Sequence, residues 1–178
     1  MIIVTGGAGF IGSNLVATLL EHGDHEIVVC DYLGNEKKWL NLRNHPIYDI
    51  VPPHSLFGFL DENADEVEAI FHLGAISSTT ETDVDLLIEN NFTLSVGLWE
   101  WCTENEKSFI YASSAATYGN GEQGYSDDDS LTYLSKLRPL NPYGWSKQLF
   151  DIHVMRECAK KKKPPQWAGL KFFNVYGP

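Results

Sequence analysis

A doubly wound α/β fold, a parallel sheet with helices on both faces, is predicted by three observations. Short apolar runs bounded by turn residues recur, helix-length stretches with apolar stripes lie between them, and the first run leads into glycines spaced Gly-x-x-Gly-x-x-Gly. The runs at 2–4, 27–30, 69–72, 109–112 and 170–173 are short and nearly bare of charge, as strands buried on both faces must be, and a weaker strand is expected at 47–50. Residues 10–22 place Ile11, Leu15, Leu19 and Leu20 on one stripe. The stretch 84–104 does likewise with Leu87, Phe92, Leu94 and Leu98, and 142–162 carries Phe150, Ile152 and Met155. The longest irregular segment, 120–141, is rich in Gly, Asp and Ser and reads as a functional cover or a mobile loop. Its Asp127-Asp128-Asp129 run reads as a solvated turn, because no second ligand group flanks it at a metal-binding spacing.

Composition narrows the function classes. With 178 residues, 43% of them hydrophobic, the chain suits one globular domain with a real core. A balance of 13 Lys and Arg against 24 Asp and Glu gives a net charge of −11, which would repel a phosphate backbone and excludes nucleic acid as the expected partner. The basic run at 160–163 follows a helical stretch and precedes Pro164 and Pro165, so it reads as a solvated helix end. Cys30, Cys102 and Cys158 are odd in number and far apart, which fits a reducing cytoplasm rather than a disulfide framework. The six histidines show no metal-ligand spacing, and no metal is expected. The opening Met1-Ile-Ile-Val-Thr5 has no basic leader, and no segment approaches the roughly 20 apolar residues of a membrane span, so a soluble cytoplasmic protein is expected.

The glycines point to a phosphate. Gly6 allows a tight turn after the first strand, Gly9 lets backbone amides approach a pyrophosphate at a helix N-terminus, and Gly12 allows close packing of helix on strand. Asp31 follows the second strand about 20 residues on, where an acid accepts hydrogen bonds from adenosine ribose hydroxyls and favours NAD. Lys37 and Lys38 follow it closely, and a cation there could instead neutralise a ribose 2′-phosphate. The pattern alone leaves NAD and NADP open.

Catalytic chemistry is expected from Ser114, Tyr143 and Lys147. Ser113 and Ser114 lie just past a strand, at the carboxyl edge of the sheet where such folds collect ligands. Tyr143 and Lys147, in Tyr-Gly-Trp-Ser-Lys, share one face of a helix, and an ammonium beside a phenol favours the phenolate and useful proton transfer. Each signal alone has a bland reading, a helix cap for the serines and a half-buried tyrosine beside a solvated lysine for the pair. Their order along one chain is what carries weight.

That order resembles the extended short-chain dehydrogenase/reductase superfamily, with its Rossmann domain. The likeness runs over the glycine motif, Asp31, Gly74-Ala75, Ser113-Ser114-Ala-Ala-Thr-Tyr118-Gly119, Asn141-Pro-Tyr143-Gly-Trp-Ser-Lys147 and Phe172-Phe173-Asn174-Val175-Tyr176-Gly177-Pro178. The strings His72-Leu-Gly-Ala-Ile-Ser-Ser-Thr-Thr-Glu81 and Glu89-Asn90-Asn91 are similar to the ADP-glyceromanno-heptose 6-epimerase family within it.

The resemblance implies an NADP-dependent isomerase that inverts carbon 6 of an ADP-linked heptose for lipopolysaccharide core synthesis. It implies that Phe10, Ile11, Asp31, Tyr32 and Lys38 hold the adenosine end, with Lys38 on the 2′-phosphate, which favours NADP over NAD. It further implies that Leu73, Gly74, Ala75, Ile76, Ser77 and Asn90 line the cofactor, that Lys147 binds the nicotinamide ribose, that Val175 borders the nicotinamide, and that Asn174 and Ser114 face substrate. Where the family offers a further lysine near the adenine, this chain has Val51-Pro52-Pro53. A dehydratase would carry an acidic pair after the serines, and Ala115-Ala116 stands there instead.

Extended members also carry a second catalytic lysine and a substrate lobe beyond the Tyr-Gly-Pro block. Residues 1–178 are therefore expected to be the NAD(P)-binding Rossmann domain, with the last strand and the C-terminal substrate domain absent. Uncovered apolar surface then predicts self-association into a homo-oligomer, or low stability. A dinucleotide-binding module without turnover is the competing reading, and another nucleotide-sugar enzyme, such as a hexose 4-epimerase or a 4,6-dehydratase, is a third.

Overall fold

Six strands form one sheet in the order β3-β2-β1-β4-β5-β6: β1 (Ile2–Thr5), β2 (Ile27–Cys30), β3 (Asp49–Val51), β4 (Ala69–His72), β5 (Ser108–Ser114) and β6 (Trp167–Phe172). The structure, a computed structural model, describes residues 1–23, 25–35 and 37–177, so Pro178, the last residue of the C-terminal block, lies outside the described residues. Ile2 pairs in parallel with Ile27 on one side and with Ala69 on the other. Every residue of β1 and β2 is buried, which is why both read as unbroken apolar runs. The chain steps outward from β1 to β3 and then returns to the other side of β1, so the topological switch lies between β1 and β4. The fold is the expected doubly wound α/β class.

Two compact units divide the chain. The first comprises Met1–Gly74 with Lys107–Tyr111. Its core joins Ile2, Val4, Ala8, Val16, Ile27, Val29 and Leu42, with Leu15, Leu19 and Leu20 packed at its margin. Helix α1 (Phe10–His22) matches the predicted span, but its fully buried apolar residue is Val16, and the predicted stripe flanks it. Strand β3 starts later than predicted, because Ile47 is held in a turn to the His45 carbonyl and only Asp49 to Val51 pair with β2. Helix α2 (Leu56–Glu62), not anticipated, buries Leu56 and Leu60, one turn apart.

The second unit comprises Ala75–Glu106 with Ala112–Pro178. The predicted helix over 84–104 is present in three parts: α3 (Val84–Leu87), capped by the Asp83 side chain, a π-helical turn (Ile88–Thr93) and α4 (Leu94–Glu104). Short helix α5 (Leu131–Leu134) lies within the segment expected to be irregular, with Ser130 as its cap. Helix α6 (Pro142–Ala159) starts with Asn141 accepting from the Gly144 amide and with Pro142 in its first turn. Beyond its end, Lys161 adopts φ 61, and Lys160 and Lys162 both donate backbone bonds to the Glu157 carbonyl, so the basic run is a helix terminus as predicted.

The π turn places Asn91 inside the unit at 0% exposure. Its side chain accepts from the Ile76 amide at 2.8 Å, donates to the Ile76 carbonyl at 3.0 Å and donates to Ser146 Oγ at 3.1 Å. A π turn commonly marks a functional position, and here it lets one amide bind the loop after β4 and helix α6 together. Asn91→Ala should cost about 1–3 kcal/mol, since it removes the partner of both part-buried backbone groups of Ile76. Denaturant unfolding measures this, and a loss within the range of surface substitutions would refute the role.

Candidate functional site

In the first unit the glycines are fixed by backbone proximity. Gly6 adopts φ +68, donates to the Cys30 carbonyl at 2.8 Å, and sits where a Cβ would lie 2.7 Å from the Gly74 nitrogen. A Cβ on Gly12 would run into the Gly6 carbonyl oxygen. Gly9 is the N-cap of α1, no side chain caps the helix, and its first turn holds no acid. First-turn amides with no capping side chain and no acid within the turn suit an anion, so the cradle fits the pyrophosphate of a dinucleotide.

Asp31 is already engaged on both oxygens, accepting from the Ala8 amide at 3.0 Å and from Lys38 Nζ at 3.2 Å. Lys38 also reaches the Tyr32 carbonyl at 3.4 Å. Tyr32 is exposed, its ring stacked at 6.4 Å on His54, and Phe10 is exposed at the head of α1. Two further groups, unremarked in the sequence, steady this end. Asn41 donates to the Ala8 carbonyl at 3.0 Å, and Thr5 Oγ1 accepts from the Gly74 amide at 3.0 Å while contacting His72 Nδ1 at 2.7 Å. Both are long-range bonds of ordinary polar residues, which no local pattern announces.

In the second unit, β5 leads into a 3-10 turn (Ala115–Tyr118). Ser114, buried at the junction, accepts from the Ala116 amide at 3.1 Å, so the bland expectation of a cap holds, while the hydroxyl retains a proton that can be donated. Lys147 is buried and donates to the Ala112 carbonyl at 2.9 Å, two residues before Ser114. Gly144 packs on the Ala116 carbonyl, where a Cβ would lie 2.7 Å from the oxygen, two residues after Ser114. The first two turns of α6 thus rest on either side of the serine. Half-buried Tyr143 lies one turn before Lys147, and its carbonyl accepts from Ser146 Oγ at 2.7 Å.

The remaining predicted residues are placed as follows. Ile76 is bound by Asn91, whereas its neighbour Asn90 turns back to the Leu86 carbonyl at 2.9 Å. Leu73, Gly74 and Ala75 are half-buried after β4, and Ser77 is exposed. Asn174 and Val175 are exposed in the segment after β6. Among the described residues no group of three or more His, Cys, Asp or Glu could hold a metal ion, and no helix is long and apolar enough to cross a membrane. Asp128 is occupied by the Ser130 amide at 2.8 Å, as a turn residue would be. Burial pushes the Cys30 thiol up to about 12, with Asp31 adding to the effect, so this thiol is inert.

Burial also lowers Lys147 from its ordinary 10.5 to about 8, against the opposing pull of Asp151. Carrying the charge inside therefore costs the folded state roughly 3 kcal/mol. Below about 8 the lysine is charged in both folded and unfolded chains, and the penalty is present in full. As the pH rises from about 8 toward 10.5 the folded chain sheds its proton first and the penalty fades. Lys147→Met should accordingly stabilise the fold by about 1–3 kcal/mol at pH 7, with the gain shrinking toward pH 10. Denaturant unfolding at both pH values tests this, and a gain that grows with pH would contradict the assignment.

Comparison with known proteins agrees with this geometry. The model of the NAD dependent epimerase/dehydratase family matches residues 2–178. The ADP-L-glycero-D-manno-heptose-6-epimerase of Fusobacterium nucleatum is 53% identical over 180 residues, covering 100% of this chain and 53% of the relative. That of Nitratidesulfovibrio vulgaris is 49% identical, covering 100% of this chain and 54% of the relative. The chain spans about half the length of the curated relatives it matches. Among solved structures, the Helicobacter pylori ADP-L-glycero-D-manno-heptose-6-epimerase matches with a TM-score of 0.79 at 28% identity, over 99% of this chain and 56% of that one. The Bacillus cereus UDP-glucuronic acid 4-epimerase, in complex with NAD, matches with a TM-score of 0.79 at 29% identity, over 99% of this chain and 58% of that one. With nearly every residue matched by the family model, and glycine cradle, buried lysine and serine turn in place, the chain belongs to the NAD dependent epimerase/dehydratase family.

Proposed function

We propose that this chain carries the cofactor-binding and proton-handling part of an ADP-L-glycero-D-manno-heptose 6-epimerase that uses NADP. The observation that carries the reading is the identity of 42–53% to proteins of that name over the whole of this chain. The first-turn amides of α1 would take the pyrophosphate, and Lys147 the nicotinamide ribose. When bound, the nicotinamide supplies a hydride acceptor that can return the hydride to the other face of the same carbon. Ser114 would donate to the reacting oxygen, and Tyr143 would take its proton and later give it back. Lys147 on the Ala112 carbonyl would keep the tyrosine and serine in register. The biological setting of this reading is lipopolysaccharide core synthesis in the cytoplasm, by an enzyme that self-associates.

Preference for NADP is supported by Asp31. Its oxygens are occupied by the Ala8 amide and Lys38, which leaves a cation rather than a bare acid facing the adenosine end. In a second reading these residues bind dinucleotide without turnover, for which the glycine cradle and the Asp31–Lys38 pair suffice. The two readings share the cofactor contacts and differ in what Tyr143 does.

Two measurements separate these claims. The chain should bind NADP about tenfold more tightly than NAD, and Lys38→Ala should erase most of that difference while changing NAD affinity less than about twofold; equal affinities would remove Lys38 from the 2′-phosphate. In a protein of the relatives' full length, Tyr143→Phe should lower epimer interconversion by about a thousandfold or more and leave dinucleotide bound. Retained turnover would take Tyr143 out of the mechanism.

A further inference from the structure

Behind Lys147 lies a second set of charged groups that the reading so far does not use. Asp151, one turn further along α6, is buried at 5% exposure. Ser113 Oγ donates to its Oδ2 at 2.7 Å, and Lys171 of β6 forms an ion pair with the same oxygen. Lys171 also donates to Thr117 Oγ1 at 2.9 Å and stands 5.2 Å from the centre of the Tyr118 ring. Three consecutive residues of β5 are thereby involved in the site: Ala112 holds Lys147, Ser113 holds Asp151, and Ser114 faces the chemistry.

A buried acid is costly, and an apolar side chain would fill this position at less cost if packing were its only task. What only a carboxylate supplies is a negative charge on the same helix face as a buried ammonium. We infer that Asp151, braced by Lys171 and Ser113, is a positioning residue that keeps Lys147 charged and seated on the Ala112 carbonyl, where it can bind the cofactor ribose. This deepens the proposed function and rests on its assignment of Lys147 to that ribose.

Among the described residues, the groups facing Asp151 include Lys147 on its own helix, Lys171 from β6, Ser113 from β5 and Tyr118 from the 3-10 turn, with Thr117 bonded to the same Lys171. Burial raises the Tyr118 phenol, with Tyr133, Asp127 and Asp151 adding to the effect, so this ring stays neutral through the alkaline range in which Lys147 loses its proton. Asp151 itself pulls Lys147 upward against burial.

The test is a fluorescence titration of the chain with NADPH across pH 6 to 10, with thermal unfolding run alongside. In the unaltered chain, affinity should fall along an alkaline limb set by Lys147, near 8. Asp151→Asn should move that limb about one pH unit lower and weaken binding at pH 7.5 by about threefold. Asp151→Glu, which keeps the charge, should bring the limb back. Asp151→Asn combined with Lys171→Met removes the buried pair together, leaves no unpaired ammonium at position 171, and should show the lowered limb in a chain that still unfolds cooperatively. If Lys147→Met abolishes the limb but both asparagine variants overlay the unaltered chain, Asp151 has no such role. If Lys147→Met leaves affinity and limb intact, the ribose assignment fails first, and the inference with it.

Discussion

The buried ammonium of Lys147 against the Ala112 carbonyl is the contact on which the arrangement of the second unit depends. It fixes the height of α6 over the end of β5, and Gly144, seated on the Ala116 carbonyl, fixes its tilt. Everything near Ser114 is arranged around those two points. Asn141 and Pro142 determine where the helix begins, so that Tyr143 falls in its first turn and Lys147 in its second. Asn91 then ties that turn, through Ser146, to the loop after β4. The charge destabilises the fold and yet is retained, which is the pattern of a functional group held by its surroundings rather than of a packing choice.

In the first unit the corresponding constraint is close backbone approach. A Cβ on Gly6 would press on the backbone nitrogen and Cα of Gly74, and one on Gly12 on the Gly6 carbonyl, so no side chain larger than hydrogen fits at either point without backbone movement. The Thr5 hydroxyl secures the Gly74 side of that contact. An acid as close as Asp31 would repel a pyrophosphate if left bare. The Ala8 amide and Lys38 neutralise it, which keeps the start of α1 attractive to an anion.

The parts legible in the sequence were those written in short, regular spacings. Strands β1, β2 and β4 read directly as apolar runs, and the glycines, the Tyr143–Lys147 pair and Ser114 announced themselves by spacing and by their order after strands. Helix α2 escaped because only Leu56 and Leu60 mark its buried face, and α5 because a single turn has no period to detect. Long-range polar contacts escaped for a different reason. Thr5, Asn41, Asp151 and Lys171 act through partners distant in the chain, and nothing beside them in the sequence names those partners.

Asn91 shows how a pattern can mislead. Along 84–104 the buried positions are Leu87, Asn91, Ser95, Leu98, Trp99, Trp101 and Cys102, so two of them are polar. A reading by hydrophobicity passes over both and assigns the stripe to Leu87, Phe92, Leu94 and Leu98, of which Leu87 and Leu98 are buried while Phe92 and Leu94 are half-buried at its flank. The π turn admits an extra residue to the helix and brings Asn91 into line with Ile76. A buried amide with three hydrogen bonds satisfies its own polarity, so it does not weaken the core it interrupts. In this unit, polar residues inside an otherwise apolar stripe are therefore positional signals. Asn91, Ser146 and Asp151 all sit at buried positions, and each is bonded to the backbone or side chains that hold Tyr143, Lys147 or Ser114 in place.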